Sequence, residues 1–326
     1  KIRYKILVSH RFGEEPKFSK FCEEQLMIRF LFLGALVLSF SLNAFASEDS
    51  ADSLSFKCEK GQSFACLKLG SMYYSGKGTE LNYSKSAELY DKACKEGDMT
   101  GCALLGLIHH DGLSGKIDLK SSLNLYKKSC EGGTAFGCHS LAKSYLEGDG
   151  TKKDLKLAHK YFNKACSSGL ASSCLEVGAN YEKERGVKKS KKEALRFYDK
   201  ACSLGEVKGC LKVGVDFMQG DRGKQDLIKA YDYFEKACNG NAYDGCLFLG
   251  AFYQYGMGVK PDTLKAIDYY LKACSNDESL GCQFLGDIYM QPKNLDKNKA
   301  KKFYKRACKL SDPISCEHLG KINKEK

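Results

Sequence analysis

Only 4 prolines and 6 histidines occur in 326 residues, and the most apolar stretch, Phe30 to Leu42, is only 13 residues long. A helix crossing a bilayer needs about 20 apolar residues, so a polytopic membrane protein is excluded. So little proline, together with 28% charged residues, argues against bulk disorder and for a folded, water-soluble body. With so few histidines there is no supply for a histidine-rich metal centre. The net charge of +12 is spread over many lysine–glutamate pairs rather than gathered into a stripe, which is poor support for nucleic-acid binding.

The apolar stretch has its own explanation. Arg29 stands just before it, Ala44-Phe45-Ala46 just after, and acidic residues follow at Glu48 and Asp49. This is the layout of a secretory signal over 27–46, cleaved after Ala46, with an uncleaved anchor as the alternative. No cysteine follows closely, so no lipoprotein is expected. Residues 1–26 read as an upstream extension preceding Met27, and their Cys22 is not expected in the mature protein. No membrane insertion is expected after cleavage.

What the chain has in abundance is cysteine. Besides Cys22 there are 16, falling as pairs eight apart: Cys58 and Cys66, Cys94 and Cys102, Cys130 and Cys138, Cys166 and Cys174, Cys202 and Cys210, Cys238 and Cys246, Cys274 and Cys282, Cys308 and Cys316. First members recur every 36 residues up to Cys274, with a last step of 34. A fixed period of this length marks a tandem array of helical hairpins. Seven units follow, 63–98, 99–134, 135–170, 171–206, 207–242, 243–278 and 279–312, with a partial unit at 47–62 and a polar capping helix at 313–326.

Inside a unit, two stretches carry helical periodicity. In the first, a cysteine is followed four later by a small residue (Gly70, Gly106, Ala142, Gly178, Gly214, Gly250, Gly286), then three later by an aromatic, except at His109. In the second, a small residue precedes an aromatic by four (Tyr90, Tyr126, Phe162, Tyr198, Phe234, Tyr270, Tyr304), and the cysteine follows after four more. Spacings of three and four mark one helix face, and a small residue opposite an aromatic lets helices interlock, so this stripe is core. Units that cannot bury their apolar faces alone stack on their neighbours. The expected fold is an all-α, right-handed superhelical solenoid of helix–turn–helix repeats, one elongated domain.

Each cysteine pair straddles a turn, placing its sulfurs across from each other on antiparallel helices at a separation a disulfide accepts. Zinc is the alternative, but it asks for cysteines two to four apart or for histidines. No metal and no cofactor is expected. Disulfides agree with the secretory signal in pointing to an oxidising compartment, periplasmic or extracellular.

The glycine, tyrosine and terminal Ala194-Leu195-Arg196-Phe197-Tyr198-Asp199-Lys200-Ala201-Cys202 pattern resembles Sel-one-like repeats, relatives of the tetratricopeptide repeat. A cysteine pair in every unit resembles the Helicobacter cysteine-rich proteins in particular. That resemblance implies secretion, a disulfide within each pair, and penicillin-binding proteins with slow β-lactamase activity. The residues themselves argue less for an enzyme. The mature chain has a single Ser-x-x-Lys, Ser140 to Lys143, without the Ser-Asp-Asn and Lys-Thr-Gly elements a serine β-lactamase uses. In His109-His110-Asp111 the adjacent histidines diverge by about 100° on a helix, so they do not form a metal pair.

The alternative is a non-enzymatic scaffold. By analogy with tetratricopeptide repeats, positions 2, 5, 9 and 12 of each unit face a concave groove, and they vary between units while the core positions do not. His110, His139, Lys143, Glu182, Met218 and Gln254 are the candidate binding residues on this face, with Lys143 and His139 together suited to a carboxylate. The ligand is expected to be a β-lactam or peptidoglycan-like peptide, or a host or bacterial protein, bound by a monomer. The basic residue two before each first cysteine (Lys92 through Arg306) reads as a solvated edge. Denatured, unreduced protein is expected to show no more than about one reactive thiol by thiol titration; eight free thiols would rule out the disulfide framework.

Overall fold

The computed structural model describes residues 50–220 and 224–324; the expected signal segment, the upstream stretch and Cys22 lie outside the described residues. The chain divides into two units, Lys1–Ala46 and Ser47–Lys326, and every described helix belongs to the second.

Sixteen α-helices succeed one another among the described residues, with no strand between them. A half-unit helix, α1 (Ala51–Glu59), is followed by seven pairs: α2 (Ser63–Ser75) with α3 (Tyr83–Lys95), α4 (Met99–Asp111) with α5 (Leu119–Glu131), α6 (Ala135–Glu147) with α7 (Leu155–Ser167), and α8 (Ala171–Lys183) with α9 (Lys191–Ser203). Then come α10 (Val207–Gln219) with α11 (Leu227–Asn239), α12 (Tyr243–Tyr255) with α13 (Thr263–Ser275), and α14 (Ser279–Tyr289) with α15 (Lys297–Lys309), and the chain ends on α16 (Pro313–Lys324). Each helix packs on the next, the signature of a solenoid.

The ends of these helices follow from local chemistry. Every second helix of a repeat opens on a side-chain cap, Asn82, Asp118, Asp154, Ser190, Asp226, Asp262 or Asp296, whose oxygen accepts from a backbone N–H of the first turn. First helices stop at a left-handed residue that glycine adopts without strain, as at Gly76 and Gly148. Repeat 7, two residues short, closes differently: α14 is 11 residues, its cap Met290 is right-handed, and a 3-10 turn at Pro292–Asn294 bridges to α15.

The core is the stripe expected from the spacing. Tyr90, Tyr126, Phe162, Tyr198, Phe234, Tyr270 and Tyr304 are all buried, each lying against the small residue of its own first helix. At Gly70 a Cβ would stand 2.7 Å from the Tyr90 ring, so the aromatic can settle only where the facing helix has no side chain. A second aromatic layer stacks the first-helix ring on a second-helix ring in repeats 3 to 7: Tyr145–Tyr161, Tyr181–Phe197, Phe217–Tyr233, Tyr253–Tyr269 and Tyr289–Phe303, with centroids 5.7–5.8 Å apart. Repeats 1 and 2 place Leu89 and Leu125 there instead.

All eight cysteine pairs are joined as the spacing of eight led us to expect. Cys58 is bonded to Cys66, Cys94 to Cys102, Cys130 to Cys138, and Cys166 to Cys174. The series continues with Cys202 bonded to Cys210, Cys238 to Cys246, Cys274 to Cys282, and Cys308 to Cys316. Their Cα atoms lie 4.4–4.8 Å apart. Each bond leaves the end of a second helix and enters the first turn of the next repeat's first helix, so the staples tie repeat to repeat. At the two ends of the array the partial unit takes one of these places: Cys58 comes from α1, and Cys316 from α16.

Four of the seven basic residues of the ladder take part in the same junctions, which corrects their reading as a merely solvated edge. Lys164 Nζ donates to the Cys130 carbonyl at 2.8 Å, Lys272 to Cys238 at 3.3 Å and Lys128 to Cys94 at 3.5 Å, while Arg306 donates to Ser275 at 3.2 Å. A cation from one repeat thus neutralises the negative end of the preceding second helix. Replacing Cys130 and Cys138 together by alanine is expected to lower stability by about 2–3 kcal/mol in denaturant unfolding, the chain entropy released by opening so short a loop.

Candidate functional site

One concave pocket of about 280 Å³ opens between α4 and α6, which pack directly on each other. Leu107, His110 and Asp111 come from α4, and Phe136, His139, Ser140, Lys143, Ser144 and Glu147 from α6, with Tyr126 of α5 completing the wall. Three of the six groove residues expected from sequence, His110, His139 and Lys143, therefore meet in one place.

Their chemistry differs sharply. His110 Nδ1 lies 2.7 Å from Asp111 Oδ1, and Nε2 lies 3.3 Å from Asp149 Oδ2 in the turn after α6. Only the imidazolium carries a hydrogen on both nitrogens, so this geometry fits the charged ring. Burial is the largest single influence and disfavours the charge, but the two carboxylates outweigh it and raise the pKa above the ordinary value. His139 goes the other way. Its Nδ1 meets the Ser173 hydroxyl at 2.8 Å, its ring stands edge-on to Phe162 at 5.3 Å, and burial, aided by the Lys143 charge, lowers its pKa to about 4. At neutral pH it is an uncharged wall and not the cationic partner of Lys143 that the spacing suggested. Lys143 itself is exposed and makes no ion pair among the described residues, so its ammonium is available to a ligand. The Tyr126 hydroxyl, pushed up to about 12 chiefly by burial, stays protonated.

The other three expected residues sit elsewhere. Glu182 accepts from the Tyr198 hydroxyl at 2.7 Å and pairs with Lys212 at 3.1 Å; burial opposes its ionisation, but these two partners hold its pKa below the ordinary value. Gln254 Oε1 accepts from Tyr270 at 2.8 Å. Met218 is fully buried and presents nothing to a ligand, a correction to its place on the groove. One rule explains all three. The core aromatic of the second helix reaches through to the groove side, and for four of the five core tyrosines the first helix supplies an acceptor: Ser71 for Tyr90, Glu182 for Tyr198, Gln254 for Tyr270, Asp287 for Tyr304; Tyr126, beside the hydroxyls of Ser122 and Ser140, is the exception. Where it is Phe234, the register holds the apolar Met218.

Asp149 and Tyr126 were not singled out from sequence as site residues. Asp149 lies 39 residues from His110 in a turn, with no local signal, and Tyr126 repeats the core pattern of every unit.

A protein-family model described as Sel1 repeat matches residues 63–98, 100–134, 135–170, 171–206, 207–241, 244–278 and 280–312. The chain belongs to the Sel1 repeat family. Among solved structures it is similar to c5321, a protective antigen of uropathogenic Escherichia coli strains displaying an SLR fold, at 25% identity and TM-score 0.73, over 83% of this chain and 59% of that one. It also resembles a Sel1 repeat protein from Oxalobacter formigenes at 20% identity and TM-score 0.66, over 83% and 79% of the two chains. The chain thus spans under two thirds of the antigen's length. No curated protein matches it.

In this Sel1 array the tyrosine–acceptor rule is directly testable. Tyr198→Phe is expected to cost about 1.5–3 kcal/mol by removing a hydrogen bond to a charged group, and Phe234→Tyr about 1–3 kcal/mol by burying a hydroxyl against Met218. Denaturant unfolding of the two variants reads both; a stabilised Phe234→Tyr protein would contradict the rule.

Proposed function

We propose that this Sel1 repeat protein is a binding scaffold that acts in an oxidising, extracytoplasmic compartment and holds a segment of a partner protein along its groove, anchored at the pocket between α4 and α6. The observation that carries this reading is the uncommitted Lys143 ammonium in a concavity whose other cationic group, His110, is already neutralised by two carboxylates. Apolar Leu107 and Phe136, hydroxyls from Tyr126, Ser140 and Ser144, and one cation suit a carboxylate at the end of, or along, an extended peptide. Glu147 and Asp111 at the same pocket select against strongly acidic segments.

The compartment rests on the eight disulfides, which do not persist in a reducing cytosol. No helix among the described residues is long and apolar enough to cross a membrane. A cysteine pair at every repeat junction supports the likeness to the Helicobacter cysteine-rich proteins and a secreted or periplasmic location.

A β-lactam or peptidoglycan-like peptide as ligand, with slow hydrolysis, is the second reading. It is favoured by one observation, that Ser140, Lys143 and Tyr126 line the same pocket. Ser140 is nearly buried in the middle of α6, where neighbouring backbone N–H groups are spent within the helix and no oxyanion donors remain. Carboxylate binding therefore fits the site better than acyl transfer does.

Fluorescence anisotropy with a panel of short labelled peptides, each with a free or amidated C-terminus, tests the scaffold. Free-carboxyl peptides are expected to bind, Lys143→Ala to weaken them about tenfold or more, and Gln254→Ala to leave them unchanged. Equal affinity in wild type and Lys143→Ala would overturn the anchor. Nitrocefin turnover that disappears in Ser140→Ala would favour the hydrolase instead.

A further inference from the structure

We propose that the junction between repeats 3 and 4 is a proton-operated joint: on acidification α8 loosens from α6 and α7 while the other junctions hold. The chain's own repetition shows why this junction is different. At the register of His139 the other repeats carry Leu67, Ala103, Leu175, Leu211, Leu247 and Gln283; at that of His159, repeats 1, 2, 4, 5 and 6 carry Ala87, Leu123, Leu195, Tyr231 and Ile267. Only here does histidine occupy both positions.

Both rings face α8. His139 meets Ser173, and His159 stands edge-on to Tyr181 at 5.2 Å. His159 Nδ1 is buried without a hydrogen-bond partner, and so are both amide atoms of Asn180, a residue 1% exposed on the same helix. The charged side chains on these three helices are Lys143 and Glu147 on α6, Lys156, Lys160 and Lys164 on α7, and Glu176, Glu182 and Lys183 on α8, and α4, packed on α6, brings His110 and Asp111 to the pocket that His139 lines; none of them bonds to either ring. A proton added to His139 or His159 therefore creates a buried charge with no bonded counter-ion, and at His139 the Lys143 charge repels it further.

The first helix on the other side of the joint departs from the pattern of the array at both of its ends. Ser173 stands where repeats 2, 3, 5, 6 and 7 place glycine at the closest backbone crossing, and α8 ends on Glu184 at φ +57°, where the first helices of repeats 1, 2, 3, 5 and 6 end on glycine. The Cys166–Cys174 bond holds one end of the α7–α8 contact, so the opening is a hinge about the staple.

Direction follows from linkage. Burial lowers the pKa of both histidines, to about 4 for His139, so the stability their neutral forms contribute is complete above the unfolded value of 6.5 and is lost as pH falls below it. His110 has the opposite sense. Its raised pKa makes the pair with Asp149, which joins repeats 2 and 3, strongest in acid and weaker as pH rises. The same protons thus tighten one junction and loosen the next.

Hydrogen exchange of the oxidised full chain, corrected for intrinsic rates, is the test. Between about pH 7.5 and about pH 4.5, protection across α6, α7 and α8 is expected to fall at least about tenfold more than in α10 to α15. The double variant carrying His139→Leu and His159→Leu, which installs the residues of repeat 4, is expected to abolish that difference. An even loss along the whole solenoid, or an unchanged local loss in the double variant, overturns the proposal. If the double variant fails to fold, ring NMR of the wild type decides: both histidines are expected to titrate below the ordinary histidine value, and titration of either at or above 6.5 overturns it.

Discussion

The stability of this protein depends on how one repeat grips the next, and that grip is centred on a disulfide between the end of one second helix and the start of the following first helix. Around each bond the backbones cross closely, mostly over a glycine, and at four junctions a lysine or arginine from the next second helix caps the exposed carbonyls. Helical repeats owe their cooperativity to these nearest-neighbour contacts. Here a covalent link, a steric fit and a charge–dipole contact act at the same place, so neighbouring repeats stay registered even where the core between them is small.

A rigid, periodic frame of this kind leaves the groove face free to vary, but less free than tandem-repeat analogy implies. The core tyrosines end in a hydroxyl that must find an acceptor, and four of them find it on the groove side of the first helix. Part of the variation among groove residues is therefore packing chemistry. What remains is concentrated in repeats 2 and 3, where α4 and α6 close on each other and enclose a pocket holding one uncommitted ammonium.

Polar substitutions at packing positions are where the periodic pattern breaks down. His139, His159, Ser173 and Asn180 all occupy registers that elsewhere are mostly apolar or glycine, and all lie at one junction. Departures from an internal consensus are visible in the sequence one by one. Their meeting across a single interface becomes apparent only once the register of second helix against following first helix is known.

From the sequence alone, the cysteine period and the glycine–aromatic spacing determined the helix count, the pairing of the sulfurs from Cys58 with Cys66 through Cys308 with Cys316, and the core stripe, because each of these is set by contacts within about one repeat. The structure decided the rest. Asp149 neutralises His110 from a neighbouring repeat, His139 loses its charge to burial under Phe162 and Ser173, Met218 turns inward, and Lys128, Lys164 and Lys272 reach back to cap carbonyls 34 residues earlier. Charge state and exposure depend on what lies across a junction, and a linear pattern does not specify which side chains of the next repeat arrive there.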